Sequence, residues 1–131
     1  MGFIREHEPQ VYALMRIVTG FLFLWHGMQK CFGWPEAMPP GAPALIVWTA
    51  GPIELVGGLL VMIGLFTRPA AFLSSGLMAC AYWMAHGFSK LDHGVVGLLP
   101  SVNGGEPAAI YCFVFLYICA RGAGPWSLEG E

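Results

Sequence analysis

Glu54 is the residue of greatest chemical consequence in this sequence, because it stands inside a long run of apolar and small residues. An ionised carboxylate surrounded by hydrocarbon is costly unless it is paired or protonated, so Glu54 is a candidate for relaying protons. His26 and His86 lie in two other apolar runs. An imidazole titrates close to neutral pH and can exchange protons or hydrogen-bond the oxygens of a bound ring, which makes both histidines candidate catalytic groups beside Glu54. Lys30, one helical turn after His26, and Glu106, just ahead of Pro107, add charge of both signs. Arg16 and Asn103 are secondary members of the same candidate site. Tyr82 and Trp83, with Phe23 and Trp25, are candidates for the walls of a slot that could hold a flat ring.

These groups need elements that can position them in an apolar medium. Of the 131 residues 56% are hydrophobic and only 11% charged, less than half the charge expected of a soluble domain. Mean hydropathy is +0.64, and the chain has nine Phe, five Trp and four Tyr, a composition that excludes a disordered polymer. The six basic residues are scattered and the net charge is −2, so no patch exists to neutralise a run of nucleic-acid phosphates. Lipid is the solvent this composition suits. Crossing a bilayer takes roughly 20 helical residues, and four apolar stretches of about that length are expected to do so, from Val11 to Phe32, Ala44 to Phe66, Pro69 to Phe88 and Pro107 to Arg121. The segments between them are rich in Pro and Gly.

The expected fold is therefore an all-α membrane protein, a single domain forming a four-transmembrane-helix bundle with the N and C termini on the same side. His26 and Lys30 stand where a signal peptide would have its cleavage site, so the first stretch is expected to remain as a helix. Arg5, Arg16, Arg68 and Arg121 fall on the side of the termini, against Lys30 and Lys90 on the other. This bias predicts cytoplasmic termini. The cysteines at 31, 80, 112 and 119 form no CxxC pair and are expected to be small packing residues.

At about 100° per residue each helix can be assigned an inward face. On the first, Arg16, Thr19, Gly20, Phe23, His26, Gly27 and Lys30 share one sector; on the second, Ala50, Gly51, Glu54, Gly57, Gly58 and Val61 do. The third is expected to turn Ala71, Ser75, Ala79, Tyr82 and His86 inward, and the fourth Glu106, Ala109, Ile110, Phe113, Tyr117 and Ala120. A kink is expected at Pro52. Glu106 or Asn103 is expected to cap the last helix. With the termini inside, His26, Lys30, Glu54, His86 and Glu106 should gather in a polar pocket in the outer half of the bundle.

The strings RIVTGFLFLWHGMQKCFG, ELVGGLLVMIGLFTRPAAF and NGGEPAAIYCFVFLYICARGAGPWSLE also carry a family resemblance. Arg16, His26-Gly27 with Lys30, Glu54 with Gly57 and Gly58, the turn from Gly64 to Arg68, Asn103 to Glu106, and the closing stretch from Gly122 to Leu128 resemble the DoxX family of small four-helix bacterial membrane proteins. Glu129 stands where relatives often have Asp. The resemblance implies the bacterial inner membrane and, from the family's namesakes, a subunit of a quinone-linked oxidoreductase working with a membrane or soluble redox partner, with a homo-oligomer also possible.

Three functions of different kinds follow as expectations. In the first, a quinone binds near His26, Lys30, Tyr82, Trp83, Asn103, Glu106 and Arg16, with Glu54, His26 and His86 handling protons. In the second, His26 and His86 present imidazoles to a haem, or the histidines and carboxylates hold a metal ion. In the third, the bundle is a scaffold whose buried polar groups serve only packing.

Overall fold

The computed structural model describes residues 1–130. After a single turn, α1 (Gly2–Glu6), come two long helices, α2 (Glu8–Phe32) and α3 (Ala44–Ile63). The third is α4 (Thr67–Ala81), prolonged by a π-helical turn, Tyr82–Gly87, and a kinked 3-10 segment, Phe88–Leu98. A short α5 (Pro100–Asn103) leads into α6 (Glu106–Arg121), and no strand occurs among the described residues. The four expected stretches thus correspond to helices, with two changes. The second ends three residues early, where Gly64 takes a left-handed φ of 68°, and the third departs from α-helical geometry at Tyr82. α3 continues through Pro52 as one helix. Among the described residues only α2 and α3 are by themselves long and apolar enough to cross a membrane.

Glycines set the tightest contact. A Cβ added to Gly58 would lie 2.6 Å from the Leu24 nitrogen and 2.8 Å from the Gly20 carbonyl oxygen, and one added to Gly27 would lie 2.8 Å from the Gly51 oxygen. The backbones of α2 and α3 therefore touch directly, the arrangement that small residues permit between apolar helices. Ser74 of α4 lodges its hydroxyl against Gly57 of α3, while Ser75 donates to the Cys112 carbonyl of α6 at 2.7 Å. Phe23, Val61, Ala71, Met78, Phe115 and Ile118 fill the space between the helices. The outside is strongly apolar, with Leu14, Phe21, Phe72, Leu73, Phe113 and Leu116 all exposed, as suits a surface that faces lipid.

The inward face expected for α3 is the one observed: Ala50, Gly51, Glu54, Gly57, Gly58 and Val61 are its buried residues. On α2 the expected sector is buried except at its C-terminal end, where His26 is exposed and Lys30 half-buried. α4 turns further than expected, burying Ala70, Ser74 and Met78 beside Ala71 and Ser75. For α6 the expected face is corrected. Ala108, Phe115 and Ile118 point inward, whereas Ile110, Phe113 and Tyr117 are more than half exposed. α6 is apolar all round, so its own sequence marks no preferred side, and packing against α4 decides its rotation.

Candidate functional site

The packing of Gly27 on Gly51 fixes the register of α2 against α3. Gly51 also lies against Lys30 and Cys31, so the first turns of α3 project past the end of α2. Glu54, counted about 15 Å from the start of its own helix, is thereby level with the last turns of α2. Lys30 Nζ donates to Glu54 Oε2 at 2.7 Å, with the lysine side chain 16% and the glutamate 4% exposed. An ion pair this enclosed compensates two desolvated charges only through its close geometry.

The other expected members are distributed around this pair. His26, next to Lys30 along α2, sets its ring edge-on to Tyr111 of α6 at 6.1 Å between centroids. His86 turns instead to the loop before α6, where Nδ1 donates to the Asn103 carbonyl at 3.1 Å. Asn103 organises that loop: its amide donates to the Gly97 carbonyl at 3.2 Å and its side-chain oxygen accepts from the Gly105 nitrogen at 2.7 Å. Asn103 thus supports the entry to α6, and Gly105 is the N-cap itself. Glu106 is the first residue of α6 and is exposed, with its negative charge at the helix's positive end.

Arg16 is not brought to this region. Its guanidinium donates to the Val61 and Met62 carbonyls, both at 2.8 Å, and to those of Pro125 and Trp126 at 3.0 and 2.7 Å. It thus closes the C-terminal end of α3, about 21 Å along α2 from Lys30. The aromatic slot also needs correction. Phe23 is wholly buried in the core, Trp25 packs on Phe21 and Trp34, and Tyr82 donates to the Leu98 carbonyl at 2.6 Å. Trp83 lies between Tyr82 and Phe88 on the outside. Residues neighbouring in sequence here serve separate contacts because the π turn changes the direction of the side chains after Ala81.

The structure shows an opening that the residue pattern did not. α2 and α6 are joined near the termini, where Tyr12 donates to the Gly122 carbonyl and Arg121 pairs with Glu8. Farther along they diverge around a cleft of about 420 Å³ lined by Thr19, Leu22, Glu106, Ile110, Tyr111 and Val114. Tyr111 was missed as a site residue; its one signal was a hydroxyl a single turn beyond Pro107 in an otherwise apolar helix. Among the described residues no group of three or more His, Cys, Asp or Glu is placed to hold a metal ion, and all four cysteines are free.

The chain is similar to known proteins, to one of them over its whole length. The sequence profile of the DoxX family matches residues 11–87. A Haemophilus influenzae protein named "Uncharacterized protein" is 37% identical over 134 residues, covering 100% of this chain and 97% of its own. The Bacillus subtilis protein named "Putative oxidoreductase CatD" is 37% identical over 59 residues, 42% of this chain and 44% of that one. The Mycobacterium tuberculosis "Uncharacterized membrane protein Rv3486" is 36% identical over 74 residues, 50% of this chain and 44% of its own. No solved structure matches. With its apolar exterior and two helices of spanning length, the chain is an integral membrane protein and belongs to the DoxX family.

Proposed function

We propose that this protein is the membrane subunit of a quinone-linked redox assembly in the bacterial cytoplasmic membrane, built as a four-helix bundle with cytoplasmic termini. α2 and α3 have the length of full spans. α4 completes its crossing through the π turn, and α6, at roughly 24 Å, spans most of the hydrocarbon. Four arginines toward the termini against two lysines toward the other end support the orientation.

The observation that carries the reading is the Lys30–Glu54 pair, with the Glu54 side chain 4% exposed among the helices. A purely structural contact at that place would be as stable with two well-packed apolar side chains, so an enclosed ion pair is an expensive way to join helices. Its chemical use is proton exchange: the ammonium can pass a proton to the carboxylate across 2.7 Å, leaving a neutral pair. His26 adjoins Lys30 on the exposed side and can carry the proton onward. A quinone, when bound, would supply the redox chemistry, in which two electrons and two protons convert it to a quinol. The electrons come from a partner redox protein, and this chain's residues move the protons. The name of the Bacillus subtilis relative, which this chain matches over under half its length, agrees with an oxidoreductase role.

Membranes carrying the protein and its native partners provide the test. Glu54→Gln, whose amide oxygen can still accept from Lys30 and so spares the protein most of the cost of a stranded charge, is expected to lower quinone-dependent electron transfer at least tenfold while the protein still accumulates and purifies. Unchanged transfer in that variant, together with a lipid extract of the pure protein free of quinone, would leave the pair a structural contact and refute the reading.

A further inference from the structure

We infer that the cleft between α2 and α6 is the lateral entry and headgroup site for the quinone, and that Thr19 and Tyr111 are the residues that hold its oxygens. The inference rests on the quinone-linked reading above but assigns the ligand to different side chains from those that handle protons.

The first argument is the state of the two hydroxyls. A helical threonine commonly donates back to the carbonyl four residues earlier, as Thr49 does to Leu45 at 2.6 Å. Thr19 is only 9% exposed and lines the cleft, yet its hydroxyl has no hydrogen-bond partner among the described residues. The hydroxyl is not sealed in the interior but opens into the cleft, where the oxygen of a bound molecule can pair with it. The hydroxyl of Tyr111 also has no protein partner among the described residues. Its ring is nonetheless held firmly, 5.5 Å from Phe23, 5.9 Å from Phe115 and 6.1 Å from His26 between centroids. A phenol anchored in this way keeps its O–H in place without rearrangement on binding, which lowers the entropic cost of recognition.

The second argument is the kind of molecule the cleft accepts. Leu22, Ile110 and Val114 make its walls apolar, and Leu22 and Ile110 are 48% and 56% exposed, so the cleft opens sideways toward lipid. Its volume of about 420 Å³ is within the range of small-molecule sites. The carboxylate of Glu106 lies on the same rim and opposes an anionic phosphate headgroup. A neutral ring bearing carbonyl or hydroxyl oxygens and an isoprenoid tail satisfies all of these conditions, with the oxygens toward the two hydroxyls and the tail along the apolar walls. A phospholipid fits the walls and conflicts with Glu106.

Equilibrium binding of radiolabelled decylubiquinone to the full-length protein in detergent tests this without an activity assay. Tyr111→Phe and Thr19→Val are expected to weaken binding roughly five- to tenfold each, the effect of losing one hydrogen bond. Ile110→Trp, which fills the cleft from its exposed wall, should abolish binding while thermal melting stays close to wild type. Glu54→Gln should bind normally and fail only in electron transfer. Equal binding by wild type and all three cleft variants would overturn the cleft assignment and leave the quinone-linked reading standing. Displacement of the probe by neutral and anionic phospholipid alike would mark the cleft as an acyl-chain groove and overturn it too. A wild-type protein that binds no decylubiquinone would remove both.

Discussion

Lys30 and Glu54 show how a single contact can be both a cost and a function. Either charge alone inside the bundle is strongly unfavourable, whereas the pair at 2.7 Å is tolerated. Lys30→Met and Glu54→Leu are each expected to destabilise the protein by about 3–5 kcal/mol, because each strands the other charge. The double variant should recover most of that loss and remain inactive. Thermal melting of the detergent-solubilised proteins measures the coupling, and single variants as stable as wild type would show that the two groups are not held as an ion pair. Tyr82, Asn103 and His86 illustrate the opposite outcome: each was expected at the candidate site, Tyr82 in its aromatic slot, and each is engaged with a backbone carbonyl or amide of the segment that leads into α6.

Helices α2 and α3 form the most intimate pair, and glycine is the reason. A methyl group on Gly58 would fall 2.8 Å from the Gly20 oxygen, so the two backbones would have to separate. Gly58→Ala is expected to cost about 1–3 kcal/mol through overpacking. Gly76 on α4 is the natural control: a Cβ there meets nothing within 4 Å, and Gly76→Ala should be neutral or stabilise the helix by up to about 1 kcal/mol. Melting temperatures of the two variants decide the matter, and equal effects would show that the α2–α3 approach is looser than described. The same close approach sets the register that carries Glu54 to Lys30, so a spacing change at the glycines should also weaken the ion pair.

Across the whole molecule, the segment after α6 ties the ends of the bundle together. Arg16 joins the α3 terminus to Pro125 and Trp126, the Leu128 and Glu129 nitrogens donate to the Ile63 and Gly64 carbonyls at 3.0 Å, and the Glu129 carboxylate accepts from the Thr67 nitrogen at the head of α4. Arg68 repeats the device, donating to the Cys119 and Ala120 carbonyls at the end of α6. Arg16→Met leaves four carbonyls without their shared donor and is expected to cost about 3 kcal/mol or more. It should also expose residues 122–130 to carboxypeptidase, read by mass spectrometry. Arg16→Lys should rescue little, because one ammonium cannot reproduce the planar fork that reaches both segments. A variant with an intact, protected C-terminal segment would contradict this role.

Much of this protein could be read from its residue pattern. Long apolar runs separated by Pro and Gly located the helices, and the glycines flanking Glu54 marked the inward side of α3 because a carboxyl and close-packed backbones both need that side. Family membership was legible in the same residues. The order of residues along one helix carries no information about where a neighbouring helix stops or how far it is rotated. Only the tertiary structure therefore decided that Lys30 reaches Glu54, that Arg16 serves the other end, and that uniformly apolar α6 turns Phe115 inward. It also decided that α6 diverges from α2 along Thr19 and Tyr111, because such a cleft exists only in the relation between two elements joined near their termini and packed on different partners.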